Sequence, residues 1–166
     1  MVGLVTYQPN RPSYILLGTS KAEEGVMTEE EHYRDIAIHA LAGFQLIEVV
    51  LKDYIADYHD KVREFLPVDM VYEHKADEVT NAPLGKLLDI FGKINANKQL
   101  VVELRNLQSK RNDLAHRALV KLYWPAKNEF DFSGNSTQLD GLADDLGGLI
   151  EQIIVEHAKL FQIARE

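Results

Sequence analysis

Cysteine is absent from the 166 residues. That one absence removes a disulfide framework, a thiolate zinc site and a cysteine nucleophile together. Long apolar runs are missing too, since no stretch approaches the roughly 18 residues a membrane-spanning helix requires. The N-terminal segment MVGLVTYQPNRPSYILLG is interrupted by Gln8, Pro9, Asn10, Arg11 and Pro12 and has no basic start followed by an apolar run. It does not read as a signal peptide, so the expectation is a cytoplasmic chain with no membrane partner. On that expectation the triplet Asn135-Ser136-Thr137 is loop sequence rather than a glycosylation site. Positive charge is also in deficit: 18 Lys and Arg stand against 26 Asp and Glu, for a net charge of −8. As a whole-chain number this opposes general binding to nucleic acid, which needs a basic surface.

The residues that are present describe one domain able to bury a core without staples, with 46% hydrophobic and 27% charged residues. Residues 1–27 lack helical period and contain Pro9, Pro12, Gly18 and Gly25, which predicts an extended arm with a short strand or docked turn around Tyr14–Leu17. Thr28-Glu29-Glu30-Glu31 then carries the pattern of a capping box, whose acids also suit the positive end of a helix dipole. Ala40, Phe44, Ile47, Leu51, Tyr54, Tyr58, Val62 and Phe65 follow at spacings of three and four. They form the apolar stripe of one long helix ending near Pro67.

Residues 67–82 are mixed and polar, as in a loop or a short helical turn. Pro83 reads as a first-turn proline capped by Asn81 or Ala82. Leu84, Leu87, Leu88, Phe91 and Ile94 make a short amphipathic helix. Asn95-Ala96-Asn97 reads as a turn, and a third helix is expected from about Lys98 to Val120. Pro125 breaks the period, and the β-type residues around it predict a small hairpin or ordered loop near 120–136. A last helix is expected from about Thr137, its first half weakened by Gly141, Gly147 and Gly148, which would kink it or pack closely on a neighbour. The prediction is an all-α fold: a four- to five-helix up-down bundle spanning residues 28–166 behind the N-terminal arm.

Several chemistries are excluded by their missing partners. Gly85-Lys86 lacks both the upstream Gly and the following Ser or Thr of a phosphate loop. Glu29-x-x-His32 is half of a di-iron bundle signature with no second half, and no nucleophile elbow occurs. No metal and no cofactor are therefore expected. His32 and His39 share a helix face near the helix start, where solvation or capping accounts for them. His157 falls on the apolar side of the last helix, as a satisfied interface or core histidine does. Tyr123 and Trp124 read as loop anchors rather than as a base-stacking platform.

One segment does not fit the apolar pattern. In Arg111-Asn112-Asp113-Leu114-Ala115-His116 the guanidinium occupies a stripe position, four after Leu107 and three before Leu114. Such a placement is costly unless the charge meets a partner, a ligand or a second subunit. Asn112 and His116 are four apart and share a strip that Arg111 flanks. A permanent cation, an amide and a titratable imidazole are the groups needed to hold a phosphodiester and move a proton. The competing account is a buried ion pair of Arg111 with Glu48 or Glu103, leaving the other two as ordinary surface residues.

Arg111-Asn112-x-x-x-His116 resembles the Arg-polar-x-x-x-His motif of HEPN-domain proteins, short all-α bundles of prokaryotic defence and toxin–antitoxin systems. The likeness extends to the long first helix around Phe44–Ile55, with its Glu48 and Leu51-Lys52 pair. It also takes in the Pro83-Leu-Gly85-Lys-Leu-Leu segment and covers roughly residues 30–160. The resemblance implies a homodimer with facing motif helices and a metal-independent ribonuclease. In that scheme Arg111 steadies the scissile phosphate, His116 transfers the proton, and Asn112, Lys110 and Arg117 contact RNA. It also implies a cognate antitoxin or other partner protein; many HEPN-like proteins instead bind a nucleotide, RNA or protein without cutting. In one toxin branch a modifiable Tyr stands two residues after the His; here that position is Ala118.

The acidic total conceals one basic segment. Residues 98–127 hold seven Lys and Arg against Glu103 and Asp113, a net of +5, whereas residues 1–97 carry −7 and residues 128–166 carry −6. The motif helix is the place where a phosphate site is compatible with the charge distribution.

Overall fold

The computed structural model describes residues 27–73, 79–118 and 131–162. Among these the secondary structure is entirely helical: α1 (Glu29–Phe65), α2 (Leu84–Ile94), α3 (Lys98–Asp113), a π-helical turn (Leu114–Ala118) and α4 (Phe132–Leu160). The all-α bundle expected from periodicity is the observed architecture. The N-terminal arm, Tyr123, Trp124 and the part of the expected hairpin up to residue 130 lie outside the described residues.

The start of α1 is set by its cap. The Thr28 hydroxyl accepts the Glu31 N–H at 3.2 Å, and the Glu31 carboxylate accepts the Thr28 N–H at 3.0 Å. The bond from the Thr28 N–H, followed by one that the Thr28 hydroxyl donates to Glu31 Oε2 at 2.9 Å, holds the Glu31 carboxyl below its usual range. The stripe then enters the core, where Phe44, Ile47, Leu51 and Ile55 are essentially buried. Each such side chain stabilises the fold by about 1.5–3 kcal/mol. They meet Leu87, Leu88 and Phe91 of α2, Leu100 and Leu104 of α3, and Leu146 and Ile153 of α4 in one cluster.

Pairings along the elements give their directions. Tyr33 meets Phe132 at one end and Asp57 meets His157 at the other, so α1 and α4 run parallel. Their packing is the most extensive in the fold. At Gly43 an added Cβ would lie 3.1 Å from Leu146 Cδ1, so the missing side chain lets the two helices approach closely. The α2–α3 pair is an antiparallel hairpin, with Asp89 opposite Arg105 and Gly92 opposite Val101. Because α2 ends beside Tyr54, it runs in the sense of α1. Up-down alternation therefore begins at the turn between α2 and α3.

That turn is held by polar groups. Asn95, 2% exposed, donates from Nδ2 to the Tyr54 hydroxyl at 3.0 Å and accepts the Asn97 N–H at 2.7 Å. Asn97 in turn caps α3 by accepting the Leu100 N–H at 3.1 Å.

Three expected boundaries move. Pro83 is the N-cap residue of α2 rather than its first helical residue, because its extended backbone (ψ 158°) precedes the helix. The α-helical winding of α3 stops at Asp113, seven residues short of Val120, and gives way to the π-turn. Helix α4 begins five residues before Thr137, because the Asp131 side chain caps the Gly134 N–H at 2.9 Å. Residues 132–136 are therefore helix and not hairpin. Gly141, Gly147 and Gly148 neither interrupt α4 nor face a close neighbour.

Candidate functional site: an arginine cleft on the motif helix

Leu100, Leu104 and Leu107 of α3 point into the core, and Arg111 is the next residue in the same row. At that position the helix has reached the margin of the core. The guanidinium leaves the row sideways toward α1, and its side chain stays 39% exposed. Arg111 Nη2 lies 3.6 Å from Glu48 Oε1, and Nη1 lies 3.4 Å from Asn112 Oδ1. Both contacts are longer than a good N–H···O bond. Arg105 and Asp89, by contrast, meet at 2.7 Å. Of the two alternatives for an internal partner, Glu48 takes the role, while Glu103 accepts a hydrogen bond from Gln99 at 2.7 Å.

Arg111 and Ala115 form one wall of a cleft of about 240 Å³ whose other wall is α1, through Leu41, Phe44, Gln45 and Glu48. Phe44 closes the floor from the core, and Gln45 and Glu48 stand three apart, on one face of α1. The cleft thus has an apolar floor and a rim that joins an arginine, an amide and a carboxylate.

The remaining motif residues are arranged less tightly. His116 is exposed and does not line the cleft. Asn112 is exposed beside Arg111. Lys110 points toward α4, where Nζ lies 3.8 Å from Asp145 Oδ2. Arg117 is placed by its backbone in the π-turn. In uninterrupted α-helix, five positions advance the chain about 500°, so Arg111 and His116 would diverge by about 140°. The i→i+5 bonding of residues 114–118 winds the chain more slowly and reduces that divergence. The Leu114 N–H, shared between the Lys110 and Arg111 carbonyls, marks where the winding changes.

Tyr33 of α1 lies near the end of α3. Burial, with the Asp113 charge adding to it, pushes its hydroxyl above the usual tyrosine range. Gln45 and Ala115 were not singled out by the sequence. Their signal was helical spacing alone, four from Leu41 and four from Arg111.

The other sequence candidates find ordinary partners. His157 Nε2 meets Asp57 Oδ2 at 2.7 Å between the rings of Tyr54 and Phe161. His39 Nδ1 lies 3.0 Å from the Asp35 carbonyl. Among the described residues, no three His, Asp or Glu side chains converge as a metal ion would need, and no helix is long and apolar enough to cross a membrane. Comparison of the chain with protein-family models, curated proteins and solved structures gives no match.

Proposed function

We propose that this chain is a HEPN-like RNA-processing protein of toxin–antitoxin or defence type, acting as a homodimer without a metal ion. Arg111 holds the scissile phosphate. His116 moves the proton at the 2′-hydroxyl or the leaving oxygen, and Asn112 steadies the phosphate beside it. Lys110 and Arg117 contribute charge along the RNA. The observation that carries this reading is the state of Arg111: a permanent cation placed by the core-facing row, half-exposed on a cleft and held by two long contacts. A guanidinium with five donors and loose internal partners is suited to take a phosphate in a fork geometry. A cytoplasmic setting and a cognate antitoxin follow from the same reading.

A second reading, binding of a nucleotide, RNA or partner protein without cleavage, is favoured by the position of His116 outside the cleft of its own chain. Catalysis then depends on a partner copy bringing the imidazole and the arginine together. The test is incubation of the full chain with labelled single-stranded and structured RNA in EDTA, alongside His116→Ala and Arg111→Gln. Cleavage by the native chain and its loss in both variants is the expected result. RNA binding that requires Arg111 but not His116, without cleavage, establishes the second reading. Neither cleavage nor Arg111-dependent binding removes both.

A further inference from the structure

We infer that Glu48 is the resident counter-anion of Arg111 and that a phosphate enters the cleft by displacing it, so that Glu48 sets the anion affinity of the site. This rests on the reading of Arg111 as a phosphate handle.

The geometry of the pair differs from that of the closed ion pairs of the fold, and it differs from the other open pair, Lys110–Asp145 at 3.8 Å, in that its carboxylate is shielded. Lys61–Glu64, Arg63–Asp60, Arg105–Asp89 and Lys159–Glu156 close to between 2.6 and 2.7 Å. Arg111–Glu48 stands open at 3.6 Å, although the Glu48 side chain is only 21% exposed. Among the described residues Arg111 is the one polar partner of that carboxylate. A half-buried carboxylate is left with a single loose cation, and the cation has donors to spare. Such a pair neutralises both charges without saturating either. It holds the guanidinium toward the cleft and screens the site from weakly bound anions.

An incoming phosphate competes for the same guanidinium, and while bound it faces the Glu48 carboxylate, which lies 3.6 Å from that guanidinium. The repulsion of two charges at about this distance, damped by solvent at the open rim, corresponds to roughly a fivefold loss of affinity. Gln45, one helical turn away on the same wall, offers an amide that can donate to the anion once it is seated. The arrangement therefore favours ligands that present two or more oxygens sharing negative charge to the guanidinium, such as a phosphodiester or terminal phosphate, over chloride.

The experiment is a titration of the full chain with inorganic phosphate at constant ionic strength, followed by NMR shifts and repeated with a short single-stranded RNA. The proteins are the native chain, Glu48→Gln, Arg111→Gln and the double variant. Glu48→Gln keeps the shape of the cleft wall; Glu48→Ala is the second variant, and far-UV circular dichroism checks the fold of each. Expected are roughly fivefold tighter phosphate binding for Glu48→Gln, a gain in the same direction for Glu48→Ala, and loss of the gain when Arg111 is also replaced. Phosphate binding that needs Arg111 but is unchanged or weaker in both Glu48 variants overturns the role of Glu48 and leaves the phosphate handle standing. Absence of phosphate binding in every protein overturns both.

Discussion

Tyr54→Phe removes one oxygen from the middle of the bundle, and the structure fixes what that oxygen does. Tyr54 is 3% exposed and Asn95 is 2% exposed, so the bond from Asn95 Nδ2 to the Tyr54 hydroxyl at 3.0 Å has no water to replace it. Burial pushes the Tyr54 hydroxyl above its ordinary range, although the bond with Asn95 opposes that rise. Losing a neutral hydrogen bond costs about 1 kcal/mol net, and a buried donor left unsatisfied costs about 1–3 kcal/mol. Tyr54→Phe should therefore destabilise by about 1–3 kcal/mol, and each 1 kcal/mol lowers Tm by about 2–4 °C in a domain of this size. Asn95→Ala also removes the acceptor of the Asn97 N–H at 2.7 Å and should cost about 2–4 kcal/mol. The assay is urea unfolding followed by far-UV circular dichroism for the native chain, both single variants and the double variant. Because the two residues share a bond, the double variant should fall short of additivity by at least about 0.5 kcal/mol. A Tyr54→Phe protein within about 0.5 kcal/mol of the native chain, or strict additivity, refutes the role given to this bond.

Ala115→Leu adds three carbons to the wall of the Arg111 cleft, where the native side chain is half-buried. Stability should change by less than about 1.5 kcal/mol, since a helix accepts Leu readily and the cleft has room for it. Arg111-dependent phosphate and RNA binding should drop at least tenfold in titration, and unchanged binding would place the ligand elsewhere. Glu156 supplies a pH dependence. Burial raises its carboxyl, but hydrogen bonds from Lys159 and Asn97 outweigh burial and hold it below the ordinary value of 4.5. A depressed carboxyl adds stability above the unfolded-state value, and that stability is lost as pH falls through the lower folded value. Urea midpoints measured from about pH 6 downward should fall more steeply for the native chain than for Glu156→Gln, with the two curves converging in acid; parallel curves would contradict the assignment.

Legibility in the sequence followed the range of the interactions involved. The capping box at Thr28, the stripe from Ala40 to Tyr54 and the turn at Asn95–Asn97 depend on residues a few positions apart, and each stands where the pattern placed it; beyond Tyr54 the stripe leaves the core, with Tyr58 and Val62 partly buried and Phe65 exposed. The end of α3 did not follow, because Leu114–Ala118 has no proline or glycine to announce a change from α to π winding. The start of α4 was masked by Ser133, Gly134 and Asn135, whose turn-like composition is overridden by the Asp131 cap. At the site, the misplacement of Arg111 in an apolar row was visible. That Glu48 rather than Glu103 answers it was not, since Glu103 shares α3 with Arg111 while Glu48 sits on α1. The cleft itself requires α1 and the motif turn in three dimensions, so Gln45 and Ala115 carried no signal beyond their spacing.

Within α3, the described part of the basic segment, two cations are consumed by the fold and a third is drawn aside. Lys98 Nζ donates to the carbonyls of Gly92 and Asn95, each at 2.8 Å, and closes the α2–α3 turn. Arg105 is taken by Asp89 and Lys110 is drawn toward Asp145. The four cations of α3 therefore do not form a broad basic face on that helix. Along this helix Arg111 is the cation loosely held by a shielded carboxylate beside a cleft, whereas Lys110, at 3.8 Å, faces the exposed Asp145. A surface of that kind cannot coat a nucleic acid backbone, whose binding draws on many cations at once. On the function proposed above, its task is to hold one phosphate at one place, which is what positioning a single bond beside an imidazole requires. The acidic whole-chain charge and a phosphate site on α3 are then compatible: the first suppresses indiscriminate binding, and the second depends on the geometry of one guanidinium and its counter-anion.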